Sequence, residues 1–98
     1  MSRLKFSPAA SAALKSLAAD PALKKRHKAV CRALGKMEAD LRYPGLNTHE
    51  MKSRKCPHDS KLFTAYAENN TSGAYRIFWC YEPSMADTVL IVQIGPHE

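Results

Sequence analysis

The C-terminal part of the chain constrains the fold most strongly. Three segments rich in β-branched, aromatic and other apolar residues, Leu62 to Glu68, Ala74 to Tyr81 and Thr88 to Ile94, are strand candidates. The polar segments 69–73 and 82–87 between them contain the Asn, Gly, Pro, Ser and Asp residues that favour hairpin turns. Consecutive strands joined by short turns pair side by side in opposite directions. The sequence therefore predicts an antiparallel sheet here.

The N-terminal part predicts one short strand and two helices. Leu4-Lys5-Phe6 alternates apolar and polar residues, as a strand does. Ser7-Pro8 supplies an N-cap and a first-turn proline for a helix from Pro8 to Ala19. Asp20-Pro21 repeats this signal and begins a second helix that should run to about Arg42.

Apolar residues on the second helix recur at steps of three and four, which gives one apolar stripe. The stripe contains Leu23, Val30, Leu34, Met37 and Leu41, with His27 in register. We expect both helices to form a hairpin that packs this stripe on one face of the sheet. The predicted fold class is α+β, with residues 1–98 as one domain. An N-terminal strand and a helical hairpin precede an antiparallel sheet of three to four strands.

The segment Leu46 to Ser60 is polar and is expected to be a loop, with one short strand near Glu50 to Lys52. Charge is also unevenly distributed along the chain. Residues 1–61 contain 14 Lys and Arg against 5 Asp and Glu, a net charge of +9, whereas residues 62–98 have 1 against 4, a net charge of −3. A basic half suits an anionic partner, such as nucleic acid or an acidic protein segment. The alternative is a helix with a solvated lysine face.

Cysteine content and hydropathy predict a cytoplasmic protein that does not associate with a membrane. No apolar run approaches membrane-spanning length, and the first residues lack the apolar core of a signal peptide. Three widely spaced cysteines argue against a disulfide framework, and Cys80 is expected to be a small buried apolar residue. Metal binding is not expected. Cys56 with His58, and His27 with Cys31, offer two ligands each, whereas structural zinc takes four.

The order of these segments resembles the RelE/ParE superfamily of bacterial type II toxin–antitoxin toxins, and the similarity covers nearly the whole chain. The segments that carry it are Leu4-Lys5-Phe6-Ser7-Pro8 before a helical hairpin, Thr48-His49-Glu50-Met51-Lys52-Ser53, Leu62-Phe63-Thr64-Ala65-Tyr66, Ala74-Tyr75-Arg76-Ile77-Phe78 and Ile94-Gly95-Pro96-His97. RelE-like members cut messenger RNA in the ribosomal decoding site. ParE-like members share the fold but poison DNA gyrase. A small antitoxin encoded next to the toxin inhibits both kinds.

The resemblance implies a ribosome-dependent endoribonuclease that inhibits translation and arrests growth. Its expected partners are a cognate antitoxin, in a toxin–antitoxin hetero-oligomer, and the ribosome with its mRNA. No cofactor is expected, because proton transfer and charge stabilisation suffice for the reaction. A ParE-like gyrase poison without nuclease activity is one alternative. A remnant that binds RNA and cleaves it weakly is another.

By resemblance, Arg76 matches an arginine on the third strand that contacts the scissile phosphate, and His97 matches a C-terminal catalytic histidine. Lys52 and His49 match basic residues that precede the second strand. The basic second helix and the 46–61 segment are expected to bind RNA phosphates. These RNA-binding residues are Lys24, Lys25, Lys28, Arg32, Arg54, Lys55 and Lys61.

Strand alternation places Arg76 on the side of Phe78 and opposite the larger set that contains Ile77 and Trp79, so Arg76 should lie on the face away from the helices. The alternative for Arg76 is a structural pair with Glu68 across the hairpin. The alternative for His97 is a solvated side chain near a terminus. Tyrosines such as Tyr66 could stack on unpaired bases, but core packing explains most of them better.

Overall fold

The computed structural model describes residues 2–69 and 72–96, and it has α+β architecture. Its helices are α1 (Pro8–Ala19) and α2 (Lys24–Ala39), with 3-10 turns at Pro21–Leu23 and Pro44–Leu46. Its strands are β1 (Arg3–Phe6), β2 (His49–Lys55), β3 (Lys61–Tyr66), β4 (Tyr75–Tyr81) and β5 (Thr88–Pro96). In the described part of the chain, no helix is both long and apolar enough to cross a membrane.

The strands form a five-stranded mixed sheet in the order β1-β5-β4-β3-β2. The four strands after the helices pair antiparallel, as predicted. Strand β1 instead pairs parallel with β5, with Leu4 opposite Val89 and Phe6 opposite Ile91, so the prediction of a purely antiparallel sheet was wrong. The two strands lie at opposite ends of the sequence, where no turn signal indicates their direction.

The sheet has two unlike faces. One packs on both helices and forms the helix-side core, whose buried members include Ala10, Leu17, Val30, Ala33, Leu34, Met37, Ala65, Ile77, Trp79, Val89, Ile91 and Ile94. The other, here called the open face, carries a smaller cluster of Cys56, Leu62, Phe78 and Cys80, with Met51, Leu90 and Val92 packed around it. Val30, Leu34 and Met37 of the predicted α2 stripe are buried, as expected.

The largest differences between the predicted and the observed element boundaries concern α2 and β2. Helix α2 begins at Lys24 and ends at Ala39, since Pro21 opens a separate 3-10 turn and Asp40 caps the helix in an extended conformation. Strand β2 covers seven residues, His49–Lys55, where mainly a loop was expected. An edge strand has one neighbouring strand and much contact with solvent, so its sequence can be polar and resemble that of a loop.

A disulfide joins Cys56, just after β2, to Cys80 in β4, with a Cα–Cα distance of 6.5 Å. The expectation that the cysteines form no disulfide was therefore wrong. The β2–β3 hairpin brings Cys56 onto the open face beside β4, a contact that sequence spacing does not reveal. Cys31 is a free thiol, exposed on α2 with its sulfur 3.4 Å from His27 Nε2.

Ser7 links the first helix to the sheet. Its hydroxyl oxygen accepts a hydrogen bond from the Ala10 amide (3.1 Å), which caps α1, and donates one to the Val92 carbonyl (2.6 Å). Its own amide donates to the Ile91 carbonyl (2.9 Å). One side chain therefore satisfies a free helix N–H and fixes the start of α1 on β5.

We predict that Ser7→Ala lowers the free energy of unfolding by about 1–2 kcal/mol, in the upper part of the range for an N-cap, because it removes both side-chain bonds. The control is Asp20→Ala, which removes one exposed cap bond to Ala22 and should cost only about 0.5 kcal/mol. Urea denaturation followed by circular dichroism measures both. Equal losses in the two variants would contradict the link that we assign to Ser7.

Candidate functional site

Arg76 lies on the open face of β4, as strand alternation predicted. Its neighbours in register are Tyr66 on β3 and Gly95 on β5. The guanidinium carbon lies 3.7 Å from the centroid of the Tyr66 ring, a cation–π contact. The residues on either side, Tyr75 and Ile77, pack on the helix-side core instead.

The charge of Arg76 has no carboxylate partner among the described residues. Nη1 donates to two backbone carbonyls, of Glu68 (2.8 Å) and of Tyr75 (3.3 Å). Nε is buried without an acceptor in the described part of the chain. Nη2 likewise makes no hydrogen bond to a described residue, but unlike Nε it is not fully buried. A half-buried guanidinium in this state attracts an anion, since an unneutralised charge out of water is costly.

The alternative in which Glu68 neutralises Arg76 was wrong. The Glu68 carboxylate pairs with Arg26 of α2 (2.8 Å) and also accepts from the Tyr75 amide (3.0 Å). Arg26 in turn lies over the Tyr75 ring, 4.5 Å from its centroid. Tyr75 and Arg76 face opposite sides of β4. The Glu68 carboxylate therefore binds on the helix side of the sheet, and only the Glu68 backbone carbonyl binds on the open face.

His49 stands at the start of β2, opposite Thr64 on β3. Its Nδ1 lies 2.9 Å from the Asn47 carbonyl oxygen, and its Nε2 lies 3.3 Å from Thr64 Oγ1. A carbonyl oxygen only accepts, so Nδ1 carries the hydrogen of this bond and Nε2 is the atom that can take up or release a proton. The His49 ring also makes an edge contact with Tyr66, 6.3 Å between centroids.

His49, Tyr66 and Arg76 thus lie side by side across β2, β3 and β4. Phosphate recognition by a planar guanidinium and proton exchange by an imidazole are the two functions that this arrangement supports. Arg54 extends the same face: its guanidinium lies 5.7 Å from the Phe78 ring centroid, and its Nη2 donates to Gln93 Oε1 (3.2 Å).

The remaining predicted residues are not brought to this cluster. Lys52 is exposed on β2, and its side chain makes no hydrogen bond or ion pair within the described ranges. Lys55 and Lys61 face each other across the β2–β3 pair, where alternation directs Lys61 to the side opposite Tyr66. Exposed residues of α2, in the layer on the other side of the sheet, are Lys24, Lys25, Lys28 and Arg32. His97 lies outside the described residues, and the described part of β5 ends at Pro96, opposite Tyr75.

Sequence reasoning missed Tyr66 as a member of the site, because tyrosines in strands were assigned mainly to the core. Tyr66 is half-buried on the open face, on the same side of β3 as Leu62 and Thr64. Alternation within β3 could have indicated the face. The register that sets Tyr66 against Arg76 depends on a hairpin turn that the sequence does not define residue by residue.

No protein-family model matches this chain, and no curated protein is significantly similar to it. The resemblance to RelE/ParE toxins therefore stays a prediction from the sequence segments.

We predict an energetic coupling between Tyr66 and Arg76 of about 1 kcal/mol, the size of a partly desolvated cation–π contact. A double-mutant cycle with Tyr66→Leu and Arg76→Met measures it from urea denaturation of the four proteins. Tyr66→Phe keeps the aromatic face and should retain the coupling. Additive effects of the Leu and Met changes, within about 0.3 kcal/mol, would mean that the ring does not stabilise the guanidinium.

Proposed function

We propose that this chain is a RelE/ParE-like toxin of a type II toxin–antitoxin system and acts in the bacterial cytoplasm as a ribosome-dependent mRNA endoribonuclease. The observation that carries the proposal is the Arg76 guanidinium, which has no carboxylate partner among the described residues and contacts the Tyr66 ring, whose edge in turn meets the His49 imidazole. The family resemblance supplies the reaction and the partners. A cognate antitoxin would hold the toxin inactive in a hetero-oligomer.

In this proposal Arg76 binds the scissile phosphate. Its planar, charged fork can hold two phosphate oxygens at once, and Tyr66 fixes the plane of that fork. Negative charge on the phosphate increases as the 2′-oxygen attacks, so a fixed positive group stabilises the transition state more than the ground state. The resemblance also assigns a positive charge at the phosphate to Lys52, which is exposed on β2, separated from β4 by β3.

The reaction needs two proton transfers. A base removes the proton of the ribose 2′-hydroxyl, and that oxygen forms a bond to phosphorus as the bond to the 5′-oxygen breaks. An acid protonates the leaving 5′-oxygen, which leaves a 2′,3′-cyclic phosphate on one fragment. We assign one transfer to Nε2 of His49, because Nδ1 is held by the Asn47 carbonyl. The family resemblance assigns the other to His97. Neither step calls for a metal ion.

RNA would be held by basic residues on both layers of the fold. Arg54 lies on the open face near the proposed phosphate site. Lys55 and Lys61 lie opposite each other on β2 and β3, and a bound anion would relieve the repulsion between their like charges. The lysines and Arg32 of α2 project from the opposite layer, where they could contact ribosomal RNA or an acidic antitoxin segment. Phosphate contacts of this kind weaken as salt rises.

The proposal is tested by expressing the chain alone in a bacterium and mapping translated messages by primer extension. New 5′ ends in messages support the nuclease. Accumulation of gyrase-cut DNA without message cleavage would instead indicate a ParE-like poison. RNA binding without either effect would indicate a catalytically weak RNA-binding protein. Rescue by the neighbouring gene would identify the antitoxin.

We predict that wild-type expression arrests growth and that Arg76→Ala abolishes the arrest while the chain stays folded by circular dichroism. The matched control is Arg26→Ala, which also removes an arginine stacked on a tyrosine, but one whose charge Glu68 already neutralises. Arg26→Ala should therefore remain toxic. Growth arrest by a folded Arg76→Ala protein at matched expression would remove Arg76 from the mechanism.

We predict that His49→Ala and His97→Ala each slow message cleavage by about 10²–10⁴, the usual contribution of a general acid or base. His97→Gln should be similarly impaired, since glutamine cannot carry the proton. His27→Ala is the control, because His27 lies on α2 beside Cys31, in the layer opposite His49. Primer extension on ribosome-bound message gives the rates. An undiminished rate in either His49→Ala or His97→Ala would exclude that histidine as a proton carrier.

A further inference from the structure

Three metal-ligating side chains converge at the end of the open face away from Arg76. The ligand atoms of Cys56, His58 and Cys80 all lie within 4.8 Å of one another. The sequence offered only Cys56 and His58 as neighbours, and the fold adds Cys80 from the centre of the sheet. The only other Cys–His contact in the described residues, Cys31 with His27 on α2, has two ligands and is exposed.

The turn between β2 and β3 holds the first two of these residues in place. The Cys56 amide donates to the Ser60 carbonyl (3.0 Å), and the Asp59 amide donates to the Cys56 carbonyl (2.9 Å). Asp59 adopts a left-handed conformation with φ of 63°, which closes the turn. Ser60 Oγ lies 3.0 Å from His58 Nδ1, and this contact orients the imidazole.

Burial differs among the three ligands in a way that suits a metal ion. Cys80 is fully buried and Cys56 is 4% exposed, whereas His58 is exposed. The two sulfurs lie in an apolar cluster with Phe78 and Leu62, and the imidazole lies at its exposed rim. A metal ion held by the three would therefore have one coordination position that faces solvent. The ligand atoms of a tetrahedral zinc lie within about 4 Å of one another at ordinary Zn–S and Zn–N distances. The three side chains already occupy a volume of that size.

We propose that the reduced chain binds one Zn²⁺ through Cys56, Cys80 and His58, with solvent as the fourth ligand, and that this site and the disulfide are alternative states of the same residues. A dithiol reductant would transfer two electrons and two protons to the disulfide, giving two thiols and an oxidised reductant. Zn²⁺ would then displace both thiol protons and form two Zn–S bonds and one bond to the neutral His58 nitrogen. In either state the 56–60 turn stays attached to β4.

This site is independent of the proposed nuclease function. Position 80 is four residues from Arg76 along β4, a separation of about 13 Å at the usual strand rise. The site would therefore fix the hairpin that carries His49 without contributing to the reaction. Its ligands, two thiolates and an imidazole, select Zn²⁺ over the hard cations Mg²⁺ and Ca²⁺.

The experiment uses the purified full chain in a reduced and an oxidised form. The reductant is a phosphine, which does not compete for Zn²⁺ as a thiol does. The disulfide of the oxidised form is verified by a mass two hydrogens lower. Zn²⁺ binding is measured by competition with a chromogenic chelator, and Co²⁺ serves as a spectroscopic probe of thiolate ligation. We expect one Zn²⁺ per reduced chain and none in the oxidised chain. At a hundredfold excess over Kd, Zn²⁺ should raise the Tm of the reduced chain by on the order of 10 °C.

Variants separate this site from other thiols. Loss of a residue that only hydrogen-bonds to a metal ligand usually weakens metal binding by about 10- to 100-fold. Cys56→Ser and His58→Gln each remove a direct ligand, so each should weaken Zn²⁺ binding by more than that. Cys31→Ser, the matched control, should bind as the wild type does. Cys56→Ser keeps the buried Cys80, so it tests the site without altering the strand. A reduced, folded wild type that binds no Zn²⁺, or binding that Cys31→Ser removes and Cys56→Ser retains, would overturn the proposal.

Discussion

The alternation of side chains along β4 is the constraint on which the rest of this structure depends. The strand is paired on both edges, so each of its residues must point either to the helices or to the open face. Ile77 and Trp79 fill the helix-side core, whereas Arg76, Phe78 and Cys80 line the other face. A slip of one residue would expose the core and bury the arginine against the helices. The stability of the core therefore also fixes the position of the proposed phosphate ligand.

Two arginines in this fold differ in how their charges are neutralised. Arg26 and Arg76 both stack on tyrosines, at 4.5 Å and 3.7 Å from the ring centroids, on opposite sides of the sheet. Arg26 also pairs with the Glu68 carboxylate, and the two side chains are 24% and 14% exposed. The Arg76 guanidinium donates hydrogen bonds only to backbone carbonyls among its described neighbours. Carbonyl dipoles offset part of the cost of a half-buried charge but leave its net charge unneutralised, which is the condition for binding an anion.

The sequence predicted the helices, four of the five strands of the described chain and the face of Arg76, because each follows from a local period or a cap. It could not predict the parallel pairing of β1 with β5 or the disulfide between Cys56 and Cys80, since both join segments with no local signal between them. Strand β2 was largely missed because an edge strand keeps a polar sequence. The alternative that paired Glu68 with Arg76 was wrong because the competing partner, Arg26, comes from a helix whose position over the sheet depends on tertiary packing.

The open face is divided along the strands into two chemically distinct ends. Tyr66 and Arg76 form a polar end, Cys56 and Cys80 form an apolar, sulfur-containing end, and Phe78 lies between them under the Arg54 guanidinium. The hydrogen bond from Arg54 to Gln93 of β5 lets a strand at the sheet edge contact one beyond its immediate neighbours. His49 begins β2 and Cys56 directly follows its last residue, so fixing Cys56 to β4 also limits how far His49 can move from Thr64. An edge strand with few backbone partners needs such a second attachment if His49 is to stay at a constant distance from Arg76.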